Sequence, residues 1–264
     1  SGWATGDGYV TGIAVATADW QGYYPIAHGG GNLNKKKVLD WFKGVAKLDC
    51  DKVFHNASYD LGWLRTLGIT VNGKIHDTMI SSALIDENRY SFTLNSLAKE
   101  KLGETKNEDL LYKAAKEFGV DPKKEMYKLP SMHVGEYAEY DARLTYDLYV
   151  FNQKEIEAQN LHDIYDLETR LQPCLIDMRA NGVRVDLEQA EVAKKLLSKR
   201  EKELMQEIKK ICGKDVEIWA AASIAKAFDH LNIPYPRTPK SGAPSFTKNF
   251  LSSNEHEIAQ KIVE

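Results

Sequence analysis

Hydrophobic and polar positions alternate in two runs near the start of the chain, residues 9–16 (Tyr-Val-Thr-Gly-Ile-Ala-Val-Ala) and 22–28 (Gly-Tyr-Tyr-Pro-Ile-Ala-His). A period of two turns successive side chains to opposite faces, so both runs predict β-strands. The connector 17–21 is short enough for a hairpin. Gly29, Gly30 and Gly31 then break the pattern as a flexible turn, and their spacing matches no phosphate-cradling loop. From 34 to 47 the period lengthens to that of a helix, with Val38, Leu39, Phe42 and Val45 inward. A third strand is expected at 52–55, then a helix carrying Leu61, Leu64 and Leu67. An extended piece at 74–77 leads into a helix from 78 to about 85, with further helices at 94–102 and 108–118. Gly119-Val-Asp-Pro122 reads as a loop, and Leu129-Pro130 precedes a helix through Tyr137 and Asp141. Strands alternating with helices predict an α/β layer fold for the first ~150 residues. Beyond residue 151 helical patterns dominate, at 155–180, 187–212 and 220–231, before a Pro/Gly/Ser-rich tail.

Two acids interrupt this patterning. Asp60 shares a helical face with Leu64 and Leu67, and Asp141 falls within the stripe Val134, Tyr137, Leu144, Leu148. Burying an unpaired carboxylate costs several kcal/mol or forces it to take up a proton, so each acid needs a cation, a helix N-terminus or solvent. Two such acids meeting around one bound metal ion would resolve both anomalies. Plainer readings stand beside this one. Asn56 has the place of an N-cap, and Asp77 is read as the cap of the helix that begins at Thr78. Tyr137 alone reads as a core aromatic with its hydroxyl at the rim, and Asp147, opposite Asp141, as a solvated acid.

Composition adds limits. The 264 residues are 43% hydrophobic and 28% charged, as in a globular protein with a sizeable core. No apolar run approaches the ~20 residues of a membrane span, and the N-terminus lacks a secretory layout. Three cysteines without CxxC spacing fit reduced thiols in a cytosolic protein, and the seven scattered histidines make zinc a poor candidate. The net charge of −3 neither advertises nor excludes nucleic acid, because a local basic track is enough. The mixed Lys/Glu pattern around 194–207 reads as a solvated helical face with i,i+4 pairs.

As a set, the motifs resemble those of the DEDD-type 3′–5′ exonucleases, in the subclass with tyrosine in the third motif. The closer likeness is to the proofreading domain of family A DNA polymerases, phage members included. His55-Asn-Ala-Ser-Tyr-Asp60 resembles the second motif and Tyr137-Ala-Glu-Tyr-Asp141 the third. The likeness continues through His76-Asp-Thr-Met79 and Thr93-Leu-Asn-Ser-Leu97-Ala98. In the second half, Leu167-Glu-Thr-Arg-Leu-Gln-Pro173 with Met178-Arg-Ala-Asn-Gly-Val-Arg-Val-Asp186 resembles the segment that opens the polymerase part. Thr238-Pro-Lys-Ser-Gly-Ala-Pro-Ser245 resembles a thumb signature.

The resemblance implies a ribonuclease H-like mixed sheet with flanking helices over 1–157, and an incomplete helical linker and thumb over 158–264. It implies Asp60 and Asp141 as ligands of two Mg²⁺ or Mn²⁺ ions, and Tyr137 as the residue that orients the attacking water. Asn56 and Tyr127 are candidate contacts to a single-stranded DNA 3′ end; Tyr127 or Met126 would serve as a stacking wedge, with core filling as the plainer role. A monomer in the cytoplasm, the host's if the protein is viral, completes the expectation. The family's first motif, Asp-x-Glu, is expected on a strand before residue 9. Asp186-Leu-Glu188 is such a triplet but lies in the helical half, as do those that begin at Asp166 and Asp215. The chain is therefore expected to be an internal piece of a longer polymerase, lacking a central strand and degrading DNA poorly by itself. Two alternatives remain open. One is a module without catalysis that braces the thumb or holds DNA; the other is a ribonuclease D-like RNA exonuclease with a compact helical domain after about residue 160.

Overall fold

The computed structural model describes residues 2–104 and 108–264. They divide into two compact units, Ser1–Gly182 and Val183–Glu264.

The first unit begins with the expected hairpin. Strands β1 (Gly12–Ala16) and β2 (Gln21–Pro25) pair antiparallel, from Gly12 opposite Pro25 to Ala16 opposite Gln21. Helix α1 (Lys35–Lys47) is capped by Asn34, whose side chain accepts from the Lys37 N–H. Its Val38 packs with Ile13 and Ile26. A parallel pair follows: β3 (Lys52–Phe54), α2 (Ala57–Thr66) and β4 (Ile75–Asp77), which runs straight into α3 (Thr78–Ile85). Helices α4 (Leu94–Lys101) and α5 (Asp109–Phe118) come next. Two 3₁₀ turns, Met126–Lys128 and Ser131–His133, lead into α6 (Gly135–Ala158), and α7 (His162–Asn181) closes the unit.

Helix α6 organises this unit. It packs on β1, β2 and β3 and on α3 and α4, and buries Leu144, Leu148 and Ile156 almost completely. Polar contacts fix its register. Glu139 Oε1 accepts from the Tyr23 N–H at 3.0 Å, and the Arg143 guanidinium donates to the Ala18 carbonyl at 2.6 Å at the hairpin tip. Asn152, fully buried, donates to the Ser81 and Ser82 hydroxyls on α3 at 2.8 and 3.0 Å. A buried amide needs such partners, because leaving them unmade costs ~1–3 kcal/mol.

Several expectations change here. A single mixed sheet was expected, but among the described strands the two pairs share α6 as backing and no ladder hydrogen bonds. One helix was expected over 155–180; the chain turns instead at Asn160, whose positive φ of 56° ends α6 before α7 begins. Helix α7 packs on α2 and α3, and the first compact unit runs on to Gly182. Asp147 is half-buried rather than solvated, held at 2.9 Å by Arg143 one turn away.

In the second unit, α8 (Leu187–Cys212) starts from the Asp186 cap, whose carboxylate accepts from the Glu188 and Gln189 N–H groups. Its last turns bury Leu204, Ile208 and Cys212 against α9 (Ala221–His230), with Phe228 at the centre. The tail is not irregular throughout. After the Pro-rich stretch come α10 (Lys248–Ser253) and α11 (Glu257–Val263), which supply Leu251, Ile258 and Ala259 to that core. On α8, Lys199 and Glu203 form an i,i+4 pair at 3.9 Å of the expected kind, and Arg200 pairs with Glu207 and with Glu264 beyond that spacing. No described helix is long and apolar enough to cross a membrane.

Candidate active site

The two motif segments sit on elements that meet the core differently. At the end of β3 the chain turns sharply. Asn56 adopts a left-handed conformation, φ 67° and ψ 57°, which asparagine tolerates better than most residues. Asn56 occupies the cap position of α2, but its side chain makes no capping hydrogen bond. That work is done from the neighbouring strand. The buried Asp77 carboxylate accepts from the Asn56 N–H at 3.0 Å and the Ala57 N–H at 2.8 Å, and from the Met79 N–H at 2.9 Å at the start of α3. One acid thus caps two helices. This was legible in part, since Asp77 was read as the α3 cap. Its hold on α2 exists only because β3 and β4 pair in parallel.

Asp60 follows in the first turn of α2. It is not sunk in the apolar face with Leu64 but stays exposed along one side. Protein crowds its other side, and its carboxyl is pushed up to about 7, first by lost hydration and second by the Asp77 carboxylate. A cation would reverse both effects.

Tyr137 and Asp141 lie one turn apart on α6, half-buried. The phenol is raised well above its ordinary value by burial, then by the Asp141 charge, then by its hydrogen bond to Asp141. Tyr137 therefore stays protonated at any working pH and acts as a neutral hydrogen-bonding group. Tyr137 packs against the cluster of Leu111, Ala114, Ala115, Leu129 and Val134, as Met126 does, and Glu108 and Tyr112 add to its electrostatic surroundings.

Tyr127, two residues before Leu129, is 39% exposed. The core-filling reading therefore passes to its neighbour Met126, which packs in the Tyr137 cluster. The loop that carries Tyr127 is clasped by the glycine run once read as a flexible turn. The Gly29 N–H donates to the Leu129 carbonyl at 3.3 Å, and a Cβ on Gly29 would collide with the Lys128 backbone. Gly31, at φ 72°, has the Ser131 side chain against it and accepts the Ser131 hydroxyl at 2.8 Å. These glycines allow two backbones to approach closely.

The structure thus joins Tyr137 to Asp141 and sets Asp60 beside Asp77. Among the described residues no three His, Cys, Asp or Glu side chains are grouped to hold a metal ion. The donor types on Asp60 and Asp141 fit a hard divalent cation, while their number falls short of the expected set.

Comparison with known proteins places the chain among DNA polymerases by similarity. Residues 32–157 match the 3′–5′ exonuclease model of DNA polymerase A. A DNA-directed DNA polymerase of Pseudomonas phage M6 is 35% identical over 96% of this chain and 39% of its own length. DNA polymerase DpoZ of Acinetobacter phage SH-Ab 15497 is 31% identical over 95% of the chain and 42% of its own. DNA polymerase I of Pseudomonas aeruginosa is 26% identical over 97% and 28%. The chain therefore spans about two-fifths or less of the length of these relatives. A solved structure, the POL domain of Pol1 from M. smegmatis in complex with DNA primer-template and dNTP, superposes with a TM-score of 0.67. That match covers 97% of this chain and 41% of the other at 18% identity, and it shows a shared fold. Residues 32–157 belong to the 3′–5′ exonuclease family of DNA polymerase A, and the chain as a whole is similar to DNA polymerases of phages and bacteria.

Proposed function

We propose that residues 1–157 form a ribonuclease H-like exonuclease domain that removes nucleotides one at a time, as monophosphates, from the frayed 3′ end of DNA. Residues 158–264 would open the polymerase domain of the same protein. The observation that carries this is the hydrogen-bonded Tyr137–Asp141 pair on one turn of α6, in a chain with polymerase likeness over nearly its whole length. The ribonuclease D-like alternative gains one point, because the second unit is compact with its own core. It loses the larger one, because the relatives that match along the chain are DNA polymerases.

Asp60 and Asp141 would hold Mg²⁺ or Mn²⁺ through carboxylate oxygens. Ions bound there supply an activated water and a clamp for the charge on the leaving oxygen. The chain's own residues do the rest. Tyr137 keeps its proton on Asp141, so its oxygen is left to accept from a water and orient it rather than deprotonate it. Asp77 fixes the start of α2 and with it the direction in which Asp60 points. Asn56, with its side chain uncommitted to the helix, is available to the terminal nucleotide. The protein would act as a monomer in the cytoplasm, the host's if phage-encoded.

The test, made in the longer polymerase, is digestion of a 5′-labelled single strand in Mn²⁺, with Mn²⁺ affinity measured alongside. Asp141→Ala should slow shortening from the 3′ end by more than about a hundredfold and weaken Mn²⁺ binding, since even residues behind a metal ligand cost 10–100-fold. Wild-type affinity and wild-type digestion in that variant would contradict the assignment.

A further inference from the structure

Tyr9 and Tyr127 are far apart in sequence and meet at the surface edge to face, ring centroids 5.9 Å apart at an interplanar angle of 74°. Both keep open area, 54% for Tyr9 and 39% for Tyr127. Exposed aromatic rings that contact each other while leaving their outer faces to water are costly unless something flat covers them.

Each ring is tied to one half of the candidate site. Gly8, at φ 111°, runs against the Trp63 indole of α2, where a Cβ would come within 3.2 Å of the ring. That contact holds the residue before Tyr9 against Trp63, which follows Asp60 by three residues in α2. On the other side, Met126 packs in the Tyr137 cluster, and the glycine clasp at Gly29 and Gly31 fixes the turn that carries Tyr127. The aromatic pair therefore bridges the helix of Asp60 and the surroundings of Tyr137. The turn is also basic. Lys123, Lys124 and Lys128 are exposed on it, and the Lys128 ammonium stands 5.9 Å from the Tyr127 ring centre. Glu125 holds Lys128, and Asp121 accepts from the Lys123 and Lys124 backbone N–H groups, leaving one positive charge in excess on that turn.

We propose that Tyr9 and Tyr127 form a stacking platform for a nucleobase of single-stranded DNA, with the lysines of the turn steering its phosphates. This deepens the exonuclease reading and rests on it. It assigns Tyr9 a substrate-binding role and makes the contact tolerant of base identity, because every base offers a π-face. The platform would hold an unpaired strand near the site of hydrolysis and discriminate against a paired end, whose bases are already stacked.

The experiment compares anisotropy binding of the 264-residue chain to two labelled single strands in EDTA. One is an oligothymidylate and the other an abasic deoxyribose-phosphate strand of the same length. The wild type should prefer the oligothymidylate about tenfold. Tyr9→Ala and Tyr127→Ala should each remove that preference while leaving affinity for the abasic strand intact, which also serves as the control for folding. Tyr9→Phe and Tyr127→Phe should retain it. Equal wild-type affinity for the two strands, or a preference that survives both alanine variants, overturns the platform and leaves the exonuclease assignment standing. No binding to either strand overturns both.

Discussion

Asp60 is an acid held out of its ordinary protonation range by its surroundings. Its carboxyl is pushed up to about 7 because protein replaces water on one side and Asp77 adds a like charge. The folded chain thus holds a proton there well above 3.8, the ordinary value, while the unfolded chain has released it. Native protein binds more protons than unfolded protein between about pH 4 and 7, so this group lowers stability as pH rises through that window. Asp60→Asn has no proton to release. Urea midpoints taken at pH 4.5 and pH 8 should show the wild type losing more stability than the variant, with the two alike at the acid end. Equal losses would mean that Asp60 titrates normally. At this scale the sequence was informative and still misled in one respect. The helical spacing correctly put Asp60 in line with Leu64, but spacing does not say how far around a helix the core extends, and Asp60 lies beyond its edge. Tyr137 and Asp141 were easier, because one turn of an uninterrupted helix brings i and i+4 together whatever the rest of the fold does.

Among elements, the long-range placement of α2 depends on an acid from another strand. Asp77 replaces a local cap with three hydrogen bonds reaching two helix starts. Caps contribute roughly 0.5–2 kcal/mol each, so Asp77→Ala should destabilise the chain by about 2–4 kcal/mol in urea unfolding. Asp77→Asn, which keeps one acceptor oxygen, should cost less; a loss under about 0.5 kcal/mol for the alanine variant would show that the caps carry little. Helix starts that depend on their own residues were legible in the sequence: Asn34 before α1, Thr93 before α4 and Asp186 before α8 all accept from their own first turn. Asn56 was not, because its role passes to Asp77 across a parallel pairing that local pattern does not encode. The glycine run at 29–31 was misread for the same reason. What it does is set by residues 128–131, which only the fold brings beside it.

For the molecule as a whole, α6 carries the argument. It joins the hairpin, the parallel pair and α3 to one face while holding Tyr137 and Asp141, so fold and chemistry share an element. The α/β order of the first unit and the helical second half were readable from period alone. The break at Asn160 and the final helices α10 and α11 were not, since a single left-handed residue and short amphipathic segments leave faint traces in a hydropathy pattern. The second unit closes its own core around Phe228. The family membership of residues 32–157 makes a shared ion site between α2 and α6 the central claim, and metal affinity tests it most directly. Mn²⁺ binding should be measured by electron paramagnetic resonance in the wild type, Asp60→Asn, Asp141→Asn and the double variant. If both carboxylates serve one ion cluster, each substitution should weaken binding at least about tenfold, and the double variant should lose clearly less than the sum, with a coupling of roughly 1 kcal/mol or more. Strictly additive losses, or no loss from either substitution, would contradict it.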